Sequence, residues 1–345
     1  MPLGDMRRLL SVGILLINCS PGLRVITREI EPAVDHNHCT TRQFQHMTFH
    51  HEGVWFVFYS DGRDFRYRTS DDRGRTWRRW LEDIDPGFKI GYSNLIRDST
   101  GHIWVITRES GQGTAYRSRE PDELRAWSPA MPCLPIPGRH ALDAAALDGG
   151  KLYVASVLTT SGKMYGNLFD GRSWGHKPVL IADGLTTVAG DDRRLALEFD
   201  RKRRRLHLIY VDAGGTLRYR SLDAPWREGD WQPRLSRPGS ELADQVFTGA
   251  LSVEPSGSLI VTYGLERYVD EDRRVRTGEL YARRLQNGRW ASDPVLVSQP
   301  GTIHNWYPNV NQDASAGLCV LYSRSVNPVE LGKPLAVMTS VVTLP

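Results

Sequence analysis

Short apolar runs recur along the chain, and none holds a 3.6-residue period over a helical length. Six of them share one form: a glycine- or charge-rich turn, then a short apolar strand. These strands begin at Val54, His102, Lys151, Leu206, Leu259 and Leu318, at intervals of 48 to 59 residues. A second signal runs in phase. Tyr67, Tyr116, Tyr165, Tyr219 and Tyr281 each sit in a further strand, and Trp77, Trp127, Trp174, Trp231 and Trp290 follow them by 9 to 12 residues. Each unit therefore reads strand, turn, strand, loop, strand, turn and tryptophan-led strand.

Four short strands in about 50 residues make one propeller blade. The sixth unit ends with Leu335 to Val342 and has no closing tryptophan. Leu23 to Ile30 is a strand with no unit of its own. Using it as the fourth strand of the last blade removes an open sheet edge. The expected fold is all-β: one six-bladed β-propeller of four-stranded antiparallel blades over residues 21–345, its ring closed by an N-terminal strand.

Composition narrows the field. The chain has 345 residues, 40% hydrophobic and 24% charged, which excludes wholesale disorder. A net charge of +4 tolerates an acidic substrate and is too small to indicate nucleic acid. Cys19, Cys39, Cys133 and Cys319 share no metal-ligand spacing. Arg7 and Arg8 precede the apolar run Leu9 to Ile17, the pattern of a secretory signal over residues 1–20. The run is too short to span a membrane, which takes roughly 20 residues. Cys19 is a candidate lipidation site, and the alternative is a buried N-terminal strand. The chain is thus expected to be secreted, periplasmic or at the cell surface.

The first unit contains Ser70-Asp71-Asp72-Arg73-Gly74-Arg75-Thr76-Trp77, a complete Ser-x-Asp-x-Gly-x-Thr-Trp pattern. It resembles the Asp-box, or BNR repeat, of the sialidase superfamily, and the chain is similar to sialidase-like BNR-repeat proteins. Later units keep fragments, such as Asp170-Gly171-Arg172-Ser173-Trp174 and Asn287-Gly288-Arg289-Trp290. The resemblance implies a structural role for Asp72, away from the catalytic face. It leaves the activity open, because one fold serves sialidases, exo-arabinanases, polysaccharide lyases and non-catalytic binders.

In a propeller the ligand sits at the mouth of the central channel, where the innermost strands and the loops before them converge. That position selects Arg42, His46, Tyr92, Arg139, His140, Asp143, Glu198, Asp244, Gln245, His304, Asn305, Trp306 and Tyr307. Asn305-Trp306-Tyr307-Pro308 with Leu321-Tyr322 resembles the last-blade segment that carries the sialidase tyrosine nucleophile. The chain departs from that family in lacking an opening Arg-Ile-Pro and in having no arginine over Leu206 to Val211. For a lyase, His46 is the candidate base, Tyr307 the acid, and Arg42, Arg139 and His140 the groups facing a uronate carboxylate. For a hydrolase, Glu198, Asp143 and Asp244 are the carboxylates. Trp306 offers an aromatic face to a pyranose, or packs between blades.

No metal or cofactor is expected. His36, His38, His46, His50 and His51 cluster in sequence, but His50 and His51 flank a hairpin turn. Arg201 to Arg205 reads as a solvated hairpin turn. The expected function is that of an exported carbohydrate-active enzyme, a glycoside hydrolase or polysaccharide lyase acting on an oligo- or polysaccharide. The alternative is a non-catalytic propeller that binds a glycan or a protein.

Overall fold

The structure is a computed structural model. It describes residues 24–34, 46–60, 65–79, 93–138, 140–158, 161–183, 195–211, 217–223, 232–234, 246–268, 276–286, 289–298, 305–311, 314–325 and 335–343. The proposed signal segment, Cys19 and Cys39 lie outside these residues.

The first strand among the described residues is β1 (Arg24–Val34). Blade one is β2 (Thr48–His51), β3 (Val54–Ser60), β4 (Phe65–Ser70) and β5 (Arg78–Arg79). Blade two is β6 (Asn94–Arg97), β7 (Ile103–Glu109), β8 (Gln112–Arg117) and β9 (Met131–Leu134). Blade three is β10 (His140–Ala146), β11 (Leu152–Leu158), β12 (Lys163–Phe169) and β13 (Val179–Ala182). Blade four is β14 (Leu195–Asp200), β15 (Arg205–Val211), β16 (Leu217–Asp223) and β17 (Gln232–Arg234). Blade five is β18 (Val246–Val253), β19 (Leu259–Tyr268), β20 (Arg276–Gln286), β21 (Arg289–Trp290) and β22 (Val295–Leu296). Blade six is β23 (Asn305–Val310), β24 (Leu318–Ser325) and β25 (Leu335–Thr343), completed by β1.

Each blade is an antiparallel meander running outward from the axis. Blade five departs from the expected four strands, because β20 pairs first with β21 and then with β22. The second strands start within one residue of their expected positions. Their apolar runs are continuous because blades pack face to face: Ile103, Trp104, Val105 and Ile106 are all buried. The outermost strands β5, β17, β21 and β22 are only two or three residues long, which blunts the sheet edges.

The ring closes through β1, which pairs with β25 from Arg24↔Thr343 onward. It is also clasped to blade one. Arg68 Nη2 donates to Glu31 Oε2 at 2.8 Å, and the Tyr59 hydroxyl donates to the same oxygen at 3.1 Å. Val341 of β25 joins Trp55, Val57 and Phe58 of blade one in a single core cluster.

The Ser70–Trp77 turn is held by its own side chains. Ser70 Oγ donates to Asp72 Oδ1 at 2.8 Å and accepts the Gly74 N–H at 2.8 Å. Asp72 also accepts the Thr76 N–H at 2.9 Å and the Thr76 hydroxyl at 2.6 Å. Desolvation pulls the Asp72 carboxyl upward, but hydrogen bonds from Thr76, Ser70 and Arg75 outweigh it and hold the group down to about 2. Trp77 packs against the cluster shared with blade six. Trp174 of blade three meets Trp104 of blade two edge to face, with ring centroids 6.4 Å apart. Trp127 and Trp174 do not lead the fourth strands as expected. Each makes a single bridge to the end of the third strand, with Ser118 and Phe169, and the fourth strand starts later.

Candidate functional site

The innermost strands β2, β6, β10, β14, β18 and β23 line the axis and run the same way. His50, Arg97, Ala146, Asp200, Val253 and Asn311, at or just past their C-terminal ends, line one cavity of about 470 Å³. The opposite end of the axis is where these strands begin. Arg42, Tyr92, Arg139, Asp244, Gln245 and His304 belong to segments leading into those beginnings, and they lie outside the described residues. His140, Asn305, Trp306 and Tyr307 are placed through their backbone in β10 and β23. The β23–β24 register slips between Trp306↔Ser323 and Asn309↔Leu321, so Tyr307 and Pro308 together oppose Tyr322. Such irregularities re-aim a strand next to many active sites.

Between the two ends, three of the expected residues meet. His46 precedes β2, Asp143 is in the middle of β10 and Glu198 is in β14. His46 Nε2 stands 3.8 Å from Asp143 Oδ2 and 3.7 Å from Glu198 Oε2. His46 and Asp143 are fully buried and Glu198 is 3% exposed, at the border of the cavity. No substrate reaches His46 or Asp143 directly in this conformation.

The cluster is tightly held. Asp143 Oδ2 accepts the Leu197 N–H at 2.6 Å, and Oδ1 accepts the Asn94 side-chain amide at 2.5 Å. Asn94 returns its Oδ1 to the His46 N–H at 3.2 Å. Glu198 Oε1 accepts the Phe199 N–H at 2.9 Å. The His46 ring lies between two backbone carbonyls, Nδ1 at 3.2 Å from Val310 O and Nε2 at 3.2 Å from Leu197 O. A neutral imidazole has one N–H to donate, so one ring nitrogen keeps a lone pair.

Burial sets the charge states. It pulls His46 down to about 4, against the upward pull of the Leu197 and Val310 carbonyls. It pushes Asp143 well above the usual carboxylate range, against the N–H groups of Leu197 and Ala144 and the Asn94 amide. At neutral pH His46 is therefore neutral. Should it take a proton, both carbonyls become acceptors for its two N–H groups and Glu198 stands alongside.

Asn94 was not singled out as a site residue from sequence, although it lies in a segment entering the channel, where it opens β6. Its role appears only through the register that brings it between His46 and Asp143. Among the described residues no group of His, Cys, Asp or Glu is placed to hold a metal ion. Cys133 and Cys319 are buried free thiols, pushed up by burial and so unreactive. No helix among the described residues is long and apolar enough to cross a membrane.

No family model matches the chain, and no curated protein matches its sequence. Solved structures match its fold. Trypanosoma rangeli sialidase with the inhibitor DANA aligns over 92% of this chain and 59% of its own, at 10% identity and a TM-score of 0.53. Another structure of that sialidase aligns over 94% of this chain and 60% of its own, at 10% identity and a TM-score of 0.51. An ulvan lyase, from a new family of polysaccharide lyase, aligns over 89% of this chain and 86% of its own, at 12% identity and a TM-score of 0.47. The chain spans about three fifths of the sialidase's length. The sialidase likeness is one of fold: this chain is a six-bladed β-propeller, as its own blade order shows.

Proposed function

We propose that this chain is an exported carbohydrate-active enzyme of the Asp-box propeller class, a glycoside hydrolase or polysaccharide lyase. It takes its glycan at the end of the channel where the innermost strands begin. One arrangement supports this above all: three blades bring an imidazole and two carboxylates to one point on the axis, with His46 displaced downward and Asp143 upward. Displaced acid and base groups set close together in a channel are what proton-transfer chemistry requires.

His46 is the proposed base of this set, and because no substrate reaches it directly it acts through the Asp143 and Glu198 carboxylates beside it, with two carbonyl acceptors ready for its N–H groups on protonation. Tyr307, at the strand irregularity, is the nucleophile of a sialidase-like route or the acid of an elimination. Trp306 and Asn305 beside it, with Arg42, Tyr92, Arg139, His140, Gln245 and His304, are the proposed glycan contacts, and Asp244 is a further carboxylate. Export rests on Arg7, Arg8 and the apolar run after them, and Cys19 is the proposed anchor point if the chain is lipidated.

Full burial of His46 and Asp143 favours a second reading, a non-catalytic glycan-binding propeller whose axis they seal. A turnover screen separates the two. The purified protein is offered sialosides, arabinans and uronate-containing polysaccharides, and reducing ends and unsaturated-uronate absorbance are followed together. Both signals rising identifies a lyase, and reducing ends alone identify a hydrolase. Tyr307→Phe and His46→Gln should each remove turnover without unfolding the ring. Turnover kept by both variants overturns the site. Silence across the panel, with glycans retarding the protein in affinity gels, establishes the binding propeller instead.

A further inference from the structure

The cavity at the far end of the axis touches that cluster only at Glu198, and the basic run Arg201 to Arg205 has no part in it. The structure brings the two together. Arg201 and Lys202 line the cavity, in the turn between β14 and β15.

Four carboxylates line the wall, and each is engaged: Glu198 is 3% exposed, its Oε1 accepts the Phe199 N–H at 2.9 Å and its Oε2 lies 3.7 Å from His46 Nε2. Asp98 is 1% exposed and accepts the N–H groups of Thr100 and His102 and the indole N–H of Trp104. Asp200 is 1% exposed and takes the Arg203 guanidinium at 2.8 Å. Glu254 holds Arg284 through two bonds of 2.8 Å. Arg97 on the same wall is spent on Asp122, at 2.7 and 3.1 Å. Arg201 and Lys202 are exposed, and no carboxylate among the described residues pairs with either. The accessible uncompensated charge at this rim is therefore positive.

The turn that carries them is braced. Arg203 Nη2 donates to the Ser256 carbonyl of blade five at 2.6 Å, and its guanidinium fills the space above Gly257. Arg205 pairs with Asp223 on β16. Two of the five cations thus fix the turn and two face the cavity. The bracing fixes the backbone that presents Arg201 and Lys202 at the rim. Phe49, Ser99, Phe199, Asn311 and Ser315 complete the lining, with the Asn311 amide taken up by Gly317 O and the Cys319 N–H. The volume is in the range of small-molecule sites and accommodates a pyranose.

We infer that this cavity is a second ligand site, at the opposite end of the axis from the proposed catalytic mouth, for a sugar unit bearing an oxyanion, a uronate or a sulfated hexose, gripped by Arg201 and Lys202. Calorimetric titration of the full chain with glucuronate, a sulfated hexose, glucose and inorganic sulfate tests it. Glucuronate and the sulfated hexose should bind, and glucose and sulfate should bind far more weakly. Arg201→Ala with Lys202→Ala should weaken binding about tenfold or more. Gly257→Ala, which displaces the bracing guanidinium, should weaken it too. Tyr307→Phe should leave it unchanged, which separates this site from the catalytic reading. Equal binding of glucose, sulfate binding as tightly as the sulfated sugar, or unaltered affinity in the double variant overturns the inference.

Discussion

Two buried histidines, His46 and His207, are held neutral by burial. His207 is 4% exposed, with Nδ1 at 2.7 Å from the Tyr219 hydroxyl. Burial pulls it down to about 3, with Asp200 and Asp223 pulling up and Arg205 and Arg203 pulling down. A folded pKa below the unfolded value stabilises the protein above about pH 6.5, and that stability is lost as the pH falls toward 3. His46 acts in the same direction toward about 4. Asp143, shifted upward, opposes it, since its contribution is present at low pH and is lost as the pH rises. Urea unfolding at pH 7 and pH 5 should therefore show a loss of stability in acid. His207→Gln should reduce the loss between pH 7 and pH 5 by up to about 2 kcal/mol, and an unchanged loss would contradict the buried neutral ring. The positions of His46, Asp143 and Glu198 near the axis were legible in the sequence, because innermost strands can be placed from the repeat. Their complete burial was not. It depends on how far each residue lies along the axis, which strand spacing alone leaves undefined.

The element most legible from sequence is the Ser70–Trp77 turn, where each motif position has a hydrogen-bonding or packing task. Gly74 adopts φ +78°, and a Cβ there would lie 2.4 Å from Val341 Cγ2 on blade six. Gly53 adopts φ +83° with nothing within 4 Å. Gly53→Ala should cost about 1 kcal/mol from backbone conformation alone, and Gly74→Ala about 1–3 kcal/mol more from overpacking. Equal losses in thermal unfolding would show that the contact between blades one and six carries no energy. The fourth strands were poorly legible. Their tryptophans stand in bridges ahead of two of them, and strands of two or three residues hold too little sequence to show a period. The basic turn at Arg201 was read correctly as a turn, but the division of its cations between bracing and cavity depends on contacts with blade five.

At the scale of the molecule, ring closure was predicted from an odd strand and a missing one, and β1 does pair with β25, with Glu31 reaching across to Arg68 of blade one. Deleting residues 24–34 should expose the edge of β25, lower the melting temperature and produce aggregates on gel filtration. A monomer that melts as sharply as the intact protein would show that the closing strand is dispensable. The end of the axis where the innermost strands begin was predicted as the mouth, and most of its side chains lie outside the described residues, so its chemistry rests on the turnover screen. The pairing of Arg24 with Thr343 also orders events in time. During synthesis β1 emerges ahead of the six blades, yet its partner β25 follows all of their other strands. It must wait for β25 while the blades form in turn, and its docking completes the ring.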